Sequence, residues 1–141
     1  MLEIHGNHER LHCLDCEHSE PMTTLHLEPG PVPTCARCRR ALKPTVVLFE
    51  EPVRELAPIR RVLAGCDLLL AVGTSAQVTP ASLFPMEVGS RGGRIVELNL
   101  EPTPLSSGPL PYEVARVEGP ASVTVPLVVD RALELEGLGA P

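Results

Sequence analysis

Four cysteines carry the most specific chemistry in this sequence. Cys13/Cys16 and Cys35/Cys38 form two Cys-x-x-Cys pairs, and two such pairs on neighbouring turns can close one tetrahedral thiolate site around zinc. Each pair already holds two sulfurs on one turn, so a single loop closure assembles all four. The ion then supplies folding energy that the intervening loop lacks. That loop contains Pro21, Pro29, Gly30, Pro31 and Pro33, a composition that does not hold itself together. Disulfides are the competing use of the cysteines. No export-like apolar segment opens the chain, and the fifth cysteine, Cys66, sits in an apolar run where it reads as a small buried hydrophobe. Four thiolates leave no open coordination position, so the zinc is expected to be structural and reaction chemistry must come from elsewhere.

Two polar clusters are candidates for that chemistry. Gly73-Thr74-Ser75 follows an apolar run, and Asn99-Leu100-Glu101 follows a second one. Such residues at strand ends can offer amides and hydroxyls to a phosphate or ribose, or they can simply turn the chain, and the triplets alone leave both readings open. Five histidines, His5, His8, His12, His18 and His26, are scattered through the first 26 residues. A lone histidine is usually structural or solvated. His12 and His18 flank the metal cysteines and could replace one of them.

The elements that must position these residues follow from composition and pattern. The chain has 141 residues, 43% of them hydrophobic, with one Tyr, two Phe and no Trp, so its core is expected to be aliphatic. A formal charge of −6 and a pI near 5.3 argue against a nucleic-acid surface. The densest basic cluster, Arg37, Arg39 and Arg40, reads as a solvated face of the metal knuckle. No apolar run approaches the length of a membrane span. Sixteen prolines and eleven glycines punctuate the elements without repeating at any period.

In order, Met1–Ile4 alternates as a strand entering a turn at His5-Gly6-Asn7, and Lys43 to Glu51 reads as a β-branched strand. Leu56, Ile59, Val62 and Leu63 fall on one helical face, with Pro58 expected to kink or restart that helix. Asp67–Val72 is apolar on both faces and belongs in the middle of a parallel sheet. A short helix over Ala81–Val88, interrupted by Pro85, precedes a strand over Arg94–Asn99. A loop from Glu101 to Pro111, a strand over Glu113–Val117 and a closing helix over Val123–Leu135 complete the chain. Alternating strands and helices make an α/β fold with a doubly wound parallel sheet, whose ligands bind beyond the carboxyl ends of its strands.

The ordered combination is more specific than any part. It comprises His5-Gly6-Asn7, the two cysteine pairs, Pro44-Thr45-Val46-Val47-Leu48-Phe49-Glu50-Glu51, Asp67 through Ser75, Val78-Thr79-Pro80-Ala81, Glu97-Leu98-Asn99 and Pro102-Thr103-Pro104. This series resembles the sirtuin family of NAD-dependent protein-lysine deacylases over nearly the whole chain. The resemblance implies a Rossmann-like sheet bearing a small four-cysteine zinc module, with NAD and an acyl-lysine protein or peptide as co-substrates. It makes His5 the general base that takes a proton from a ribose hydroxyl, a role suited to a side chain that changes protonation near neutrality. Nicotinamide, free lysine and O-acyl-ADP-ribose would be the products. By the same resemblance Gly73, Thr74 and Ser75 meet the phosphate and ribose region of NAD, Asn99, Leu100 and Glu101 meet the adenosine ribose, and Ala121 lies at the adenine edge. Backbone around Val47 to Glu50, including Phe49, and around Gln77 to Thr79, including Val78, would hold the peptide as an added strand.

The chain also departs from the family pattern. Glu50 replaces the glycine of the usual Phe-Gly-Glu, and Ala76 replaces a larger apolar residue. The glycine-rich phosphate turn and the nicotinamide-seating segment of the family's N-terminal half have no counterpart here. The 141 residues are therefore expected to form the C-terminal portion of a sirtuin-like catalytic domain, with a zinc module over 8–44 and a Rossmann-like part over 45–136. A sheet edge left uncovered by that half is expected to promote self-association or to recruit a partner chain. A cytoplasmic setting suits the free thiols. Two rival functions stand beside this one: a non-catalytic, zinc-stapled module that binds a protein partner through the uncovered sheet edge, and an ADP-ribosyl transferase that uses the same residues for the same half-reaction.

Overall fold

Two sheets of opposite character organise the structure, a computed structural model that describes residues 1–135 and Gly137. Contacts divide the chain into one unit over Met1–Pro58 and a second beginning at Ile59. The expected end of the α/β part, at residue 136, lies outside the described residues.

In the first unit, β1 (Arg10–Cys13) lies between β2 (Ser19–Pro21) and β3 (Leu42–Pro44), antiparallel to both. Alternation on β1 turns Leu11 and Cys13 inward. They meet Leu42 and Cys35 in a core against which Cys16 and Met22 pack. Half of that buried core therefore consists of cysteines from the two knuckles. An aliphatic core this small contributes little by itself, so the unit depends on what the sulfurs bind.

Two expected strands in this unit are replaced by turns. Met1–Ile4 does not pair. The Gly6 amide instead donates to the Glu3 carbonyl at 2.9 Å, and Asn7 Nδ2 reaches Glu3 Oε2 at 2.5 Å. These local polar bonds close the chain into a turn and override the alternating pattern. The strand expected from Lys43 to Glu51 stops at Pro44. Lys43 Nζ donates to the Val46 carbonyl at 2.8 Å, and Glu51 closes a turn by accepting from the Leu48 amide at 3.0 Å and donating its own amide to the Leu48 carbonyl at 3.1 Å.

The second unit is a parallel sheet of β4 (Leu68–Val72), β5 (Arg94–Asn99) and β6 (Val114–Glu118), in that order. Its helices are α1 (Leu56–Ala64), which starts in the first unit, α2 (Phe84–Gly89), α3 (Pro104–Ser107) and α4 (Ala121–Leu135). Leu63, Val88, Ile95, Leu98 and Leu105 are buried. Pro58 does not break α1, because it falls in the first turn, where its missing N–H has no intrahelical partner to lose. Pro85 sits equally early in α2, and the expected interruption is a change from a 3-10 turn at Ala81–Leu83 to α-helix.

Among the described residues β4 is an edge strand, as expected where the N-terminal half of the sheet has no counterpart, and not the sheet's centre. It pairs there with β5 alone. An apolar run signals burial on both faces and is silent on how many neighbours the strand has along the hydrogen-bonding direction. The central position belongs to β5, where Ile95, Glu97 and Leu98 are 2%, 0% and 1% exposed.

Candidate functional site

The four knuckle sulfurs converge. Cys13, Cys16, Cys35 and Cys38 Sγ atoms all lie within 4.8 Å of one another. Individual separations are 3.3 Å for Cys13–Cys38 and 3.7 Å for both Cys16–Cys35 and Cys16–Cys38. A tetrahedral zinc with bonds of about 2.3 Å has sulfur–sulfur edges of about 3.8 Å, so the donor set fits the ion. Amides of Asp15 and Arg37 donate to Cys13 and Cys35 Sγ, each at 3.4 Å, orienting the sulfurs from outside the cluster.

Their protonation shows why a cation belongs there. The Asp15 amide, with help from Cys38, holds the Cys13 thiol down at about 7 despite its burial. At Cys38 the Arg40 amide favours the thiolate, but Cys13, burial, Cys16 and Cys35 together outweigh it and push the thiol up to about 12. Four sulfurs this close cannot all be charged without a compensating cation.

The His5 turn is built on a backbone clasp. His5 is exposed, and its carbonyl accepts the Val47 amide at 2.8 Å. Ile4 accepts the Arg54 amide at 3.0 Å, and Thr45 Oγ1 donates to the Asn7 carbonyl at 2.9 Å. Beneath the turn, Glu3, Gly6, Asn7, Thr45, Arg54 and Glu55 help line a cleft of about 380 Å³. The turn is thereby fastened to the start of the loop that carries Val47 and Phe49. Phe49 is 97% exposed, and Glu50 adopts φ +70°.

In the second unit, the strand-end clusters come together. Asn99 Nδ2 donates to the Thr74 carbonyl at 3.0 Å, and Asn99 Oδ1 accepts the Leu100 amide at 2.9 Å. Gly73, at φ +58°, donates its amide to the Leu98 carbonyl at 3.0 Å. Gly119 donates to the Asn99 carbonyl at 3.2 Å, just before α4 opens at Ala121. Gly73, Thr74, Ser75, Leu100, Glu101 and Ala121 are exposed around this junction, as is Val78 further along. The carboxyl edge of the sheet thus gathers the exposed residues of both clusters where ligands bind in open α/β sheets.

The first 80 residues match the model of the Sir2 family. The chain belongs to the Sir2 family. A Sir2 relative from Caldivirga maquilingensis, an NAD-dependent protein deacetylase, is 39% identical over 106 residues, covering 73% of this chain and 41% of the relative. An NAD-dependent protein deacylase from Thermococcus kodakarensis is 32% identical over 142 residues, covering 96% of this chain and 54% of the relative. Among solved structures, a mutant Sir2 homologue in complex with ADP-ribose superposes with a TM-score of 0.82 at 28% identity, over 99% of this chain and 55% of that one. A Sir2–p53 peptide–NAD+ complex gives 0.73 at 26% identity, over 98% and 56%. The chain spans about half the length of the curated Sir2 relatives it matches.

Within this Sir2 chain, sequence reasoning missed one polar feature of the strand-end region. Thr103 caps α3, accepting the Leu105 amide at 3.2 Å, while its hydroxyl donates to the fully buried carboxylate of Glu97. Thr103-Pro104 is an N-cap followed by a first-turn proline, so the α3 signal was present in the sequence. The burial of Glu97 had none. Among the described residues, no helix is long and apolar enough to cross a membrane.

Proposed function

We propose that this chain carries the general base, the zinc module and the adenosine side of the cofactor site of an NAD-dependent protein-lysine deacylase working in a reducing cytoplasm. NAD supplies the ADP-ribosyl unit that accepts the acyl group, releasing nicotinamide and leaving O-acyl-ADP-ribose and free lysine. His5 takes a proton from a ribose hydroxyl; its backbone is fixed by Val47, so the ring is carried by a defined turn and not by a free N-terminal tail. Gly73, Thr74 and Ser75 bind the phosphate and ribose region, Asn99, Leu100 and Glu101 the adenosine ribose, and Ala121 borders the adenine. Val47, Phe49 and Val78 hold the acyl-lysine peptide as an extended strand. Zinc on Cys13, Cys16, Cys35 and Cys38 has no chemical step, because all its positions are filled.

The observation that carries this reading is the bond from Asn99 to the Thr74 carbonyl, which joins two separate cofactor clusters into one edge. The test is NAD-dependent deacetylation of an acetyl-lysine peptide, assayed with the chain alone and with the N-terminal portion of a Sir2 relative added. Turnover in at least one arm that falls about a hundredfold or more in His5→Ala is the expected result. Undiminished turnover in that variant removes His5 from the mechanism.

A further inference from the structure

We propose that Glu50 selects acyl-lysine peptides that carry an arginine or lysine next to the acyl-lysine. This rests on reading residues 47–50 as part of the peptide-binding surface, and it assigns that surface a charge preference.

Three observations set Glu50 apart. First, its neighbours are committed and it is not. Glu51 is held by Lys43 Nζ at 2.7 Å and by the Leu48 amide at 3.0 Å, whereas neither the Glu50 carboxylate nor the Phe49 backbone has a hydrogen-bond or ion-pair partner among the described residues. Second, Glu50 holds φ +70°, a conformation that L-residues rarely adopt, between Phe49 at 97% exposure and the anchored Glu51. Strain of this kind concentrates where a loop is shaped for a ligand. Third, Lys43 is already neutralised by Glu51, which leaves the tip of the loop with one uncompensated negative charge.

An extended peptide running past the exposed Phe49 would meet the charge of its sequence neighbour Glu50. A basic side chain flanking the acyl-lysine then gains an exposed ion pair, and an acidic one meets like charge. An ion pair in water is weak, so the preference is about two- to fivefold and fades at high ionic strength.

The test measures binding by fluorescence anisotropy of acetyl-lysine peptides bearing Arg, Ala or Glu beside the acetyl-lysine. The full chain is compared with Glu50→Gln and Glu50→Lys at low and high salt. The proposal expects the Arg peptide to bind about two- to fivefold tighter than the Ala peptide, the ratio to fall to about one in Glu50→Gln, and the order to invert in Glu50→Lys. Equal binding of all three peptides, or a preference that survives Glu50→Gln, overturns the role of Glu50 and leaves the peptide surface standing. Failure of every peptide to bind overturns the reading of residues 47–50 as a peptide surface, and the charge preference with it.

Discussion

A Cβ placed on Gly6 would lie 2.0 Å from the carbonyl oxygen of Thr45. Gly6 also holds φ +67°, so any side chain there meets both a strained backbone and an immovable neighbour. Gly6→Ala is expected to cost about 2 kcal/mol or more in denaturant unfolding. It should also release the His5 turn from residues 45–47. A variant within about 0.5 kcal/mol of the parent would show that the clasp is not rigid.

The metal prediction follows from the composition of the first unit's core, where Cys13 and Cys35 sit beside Leu11 and Leu42. Purified chain should contain one zinc, and a strong chelator should make residues 1–58 sensitive to protease while the β4–β6 sheet stays resistant, because that sheet has its own aliphatic core. Cys35→Ser should reproduce the chelated pattern or give insoluble protein. Metal content far below one per chain, or a first unit that resists protease after chelation, would refute this.

Glu51 supplies an acid-sensitive latch on the loop. The Leu48 amide first, and then Lys43, lower its carboxyl pKa below the ordinary 4.5. A depressed carboxyl pKa contributes stability that is complete above the unfolded value. That contribution begins to fade as pH falls past 4.5 and is gone below the lowered folded value. Glu51→Gln should remove this part of the acid dependence and loosen residues 48–51, as seen in the amide shifts of that loop. An unchanged acid profile would show that the latch contributes nothing.

Glu97 and Thr103 form the polar lock of the second unit. Thr103→Val deletes both the donor to a buried carboxylate and the cap of α3, and is expected to cost about 1–3 kcal/mol. Thermal unfolding measures it. A cost below about 0.5 kcal/mol would mean that Glu97 finds another partner.

Much of this was legible beforehand, for reasons that differ by residue. The cysteine ligands were readable because coordination chemistry fixes their spacing, and the prediction needs no knowledge of the surrounding fold. β5 was expected at its observed bounds, and β6 one residue early, because apolar runs between glycine and proline leave few alternatives. The turn at His5 was expected, but Met1–Ile4 before it was misread as a strand. There, Glu3 and Asn7 bond locally, Thr45 reaches Asn7 across 38 residues and Arg54 reaches Ile4 from further still, and neither kind of bond appears as a period in sequence. The edge at β4 was legible from the family pattern and not from the strand itself: side-chain pattern reports the faces of a sheet, whereas the missing neighbour followed from the absent N-terminal half.

Glu50 shows the limit of reading by family pattern. The replacement of glycine was visible, but its consequence required a dihedral angle. Glu50→Gly relieves about 1–2 kcal/mol of backbone strain and returns about 0.5–1 kcal/mol of freedom to the unfolded chain, so the net change in stability should stay within about 1.5 kcal/mol. A larger loss on chemical denaturation would mean that the side chain holds the loop through contacts absent from this structure.

The one-sided pairing of β4 also has a consequence on the timescale of solvent exchange. In a parallel ladder, a strand with one neighbour commits only alternate amides to it, whereas β5, flanked by β4 and β6, commits both sets. Along Leu68–Val72, deuterium should therefore enter in a period-two pattern of quick and slow sites, while Ile95–Leu98 exchanges slowly throughout. Uniform slowing of the quick set on adding a second component would report that another strand has joined the sheet at β4, residue by residue and without any assay of activity.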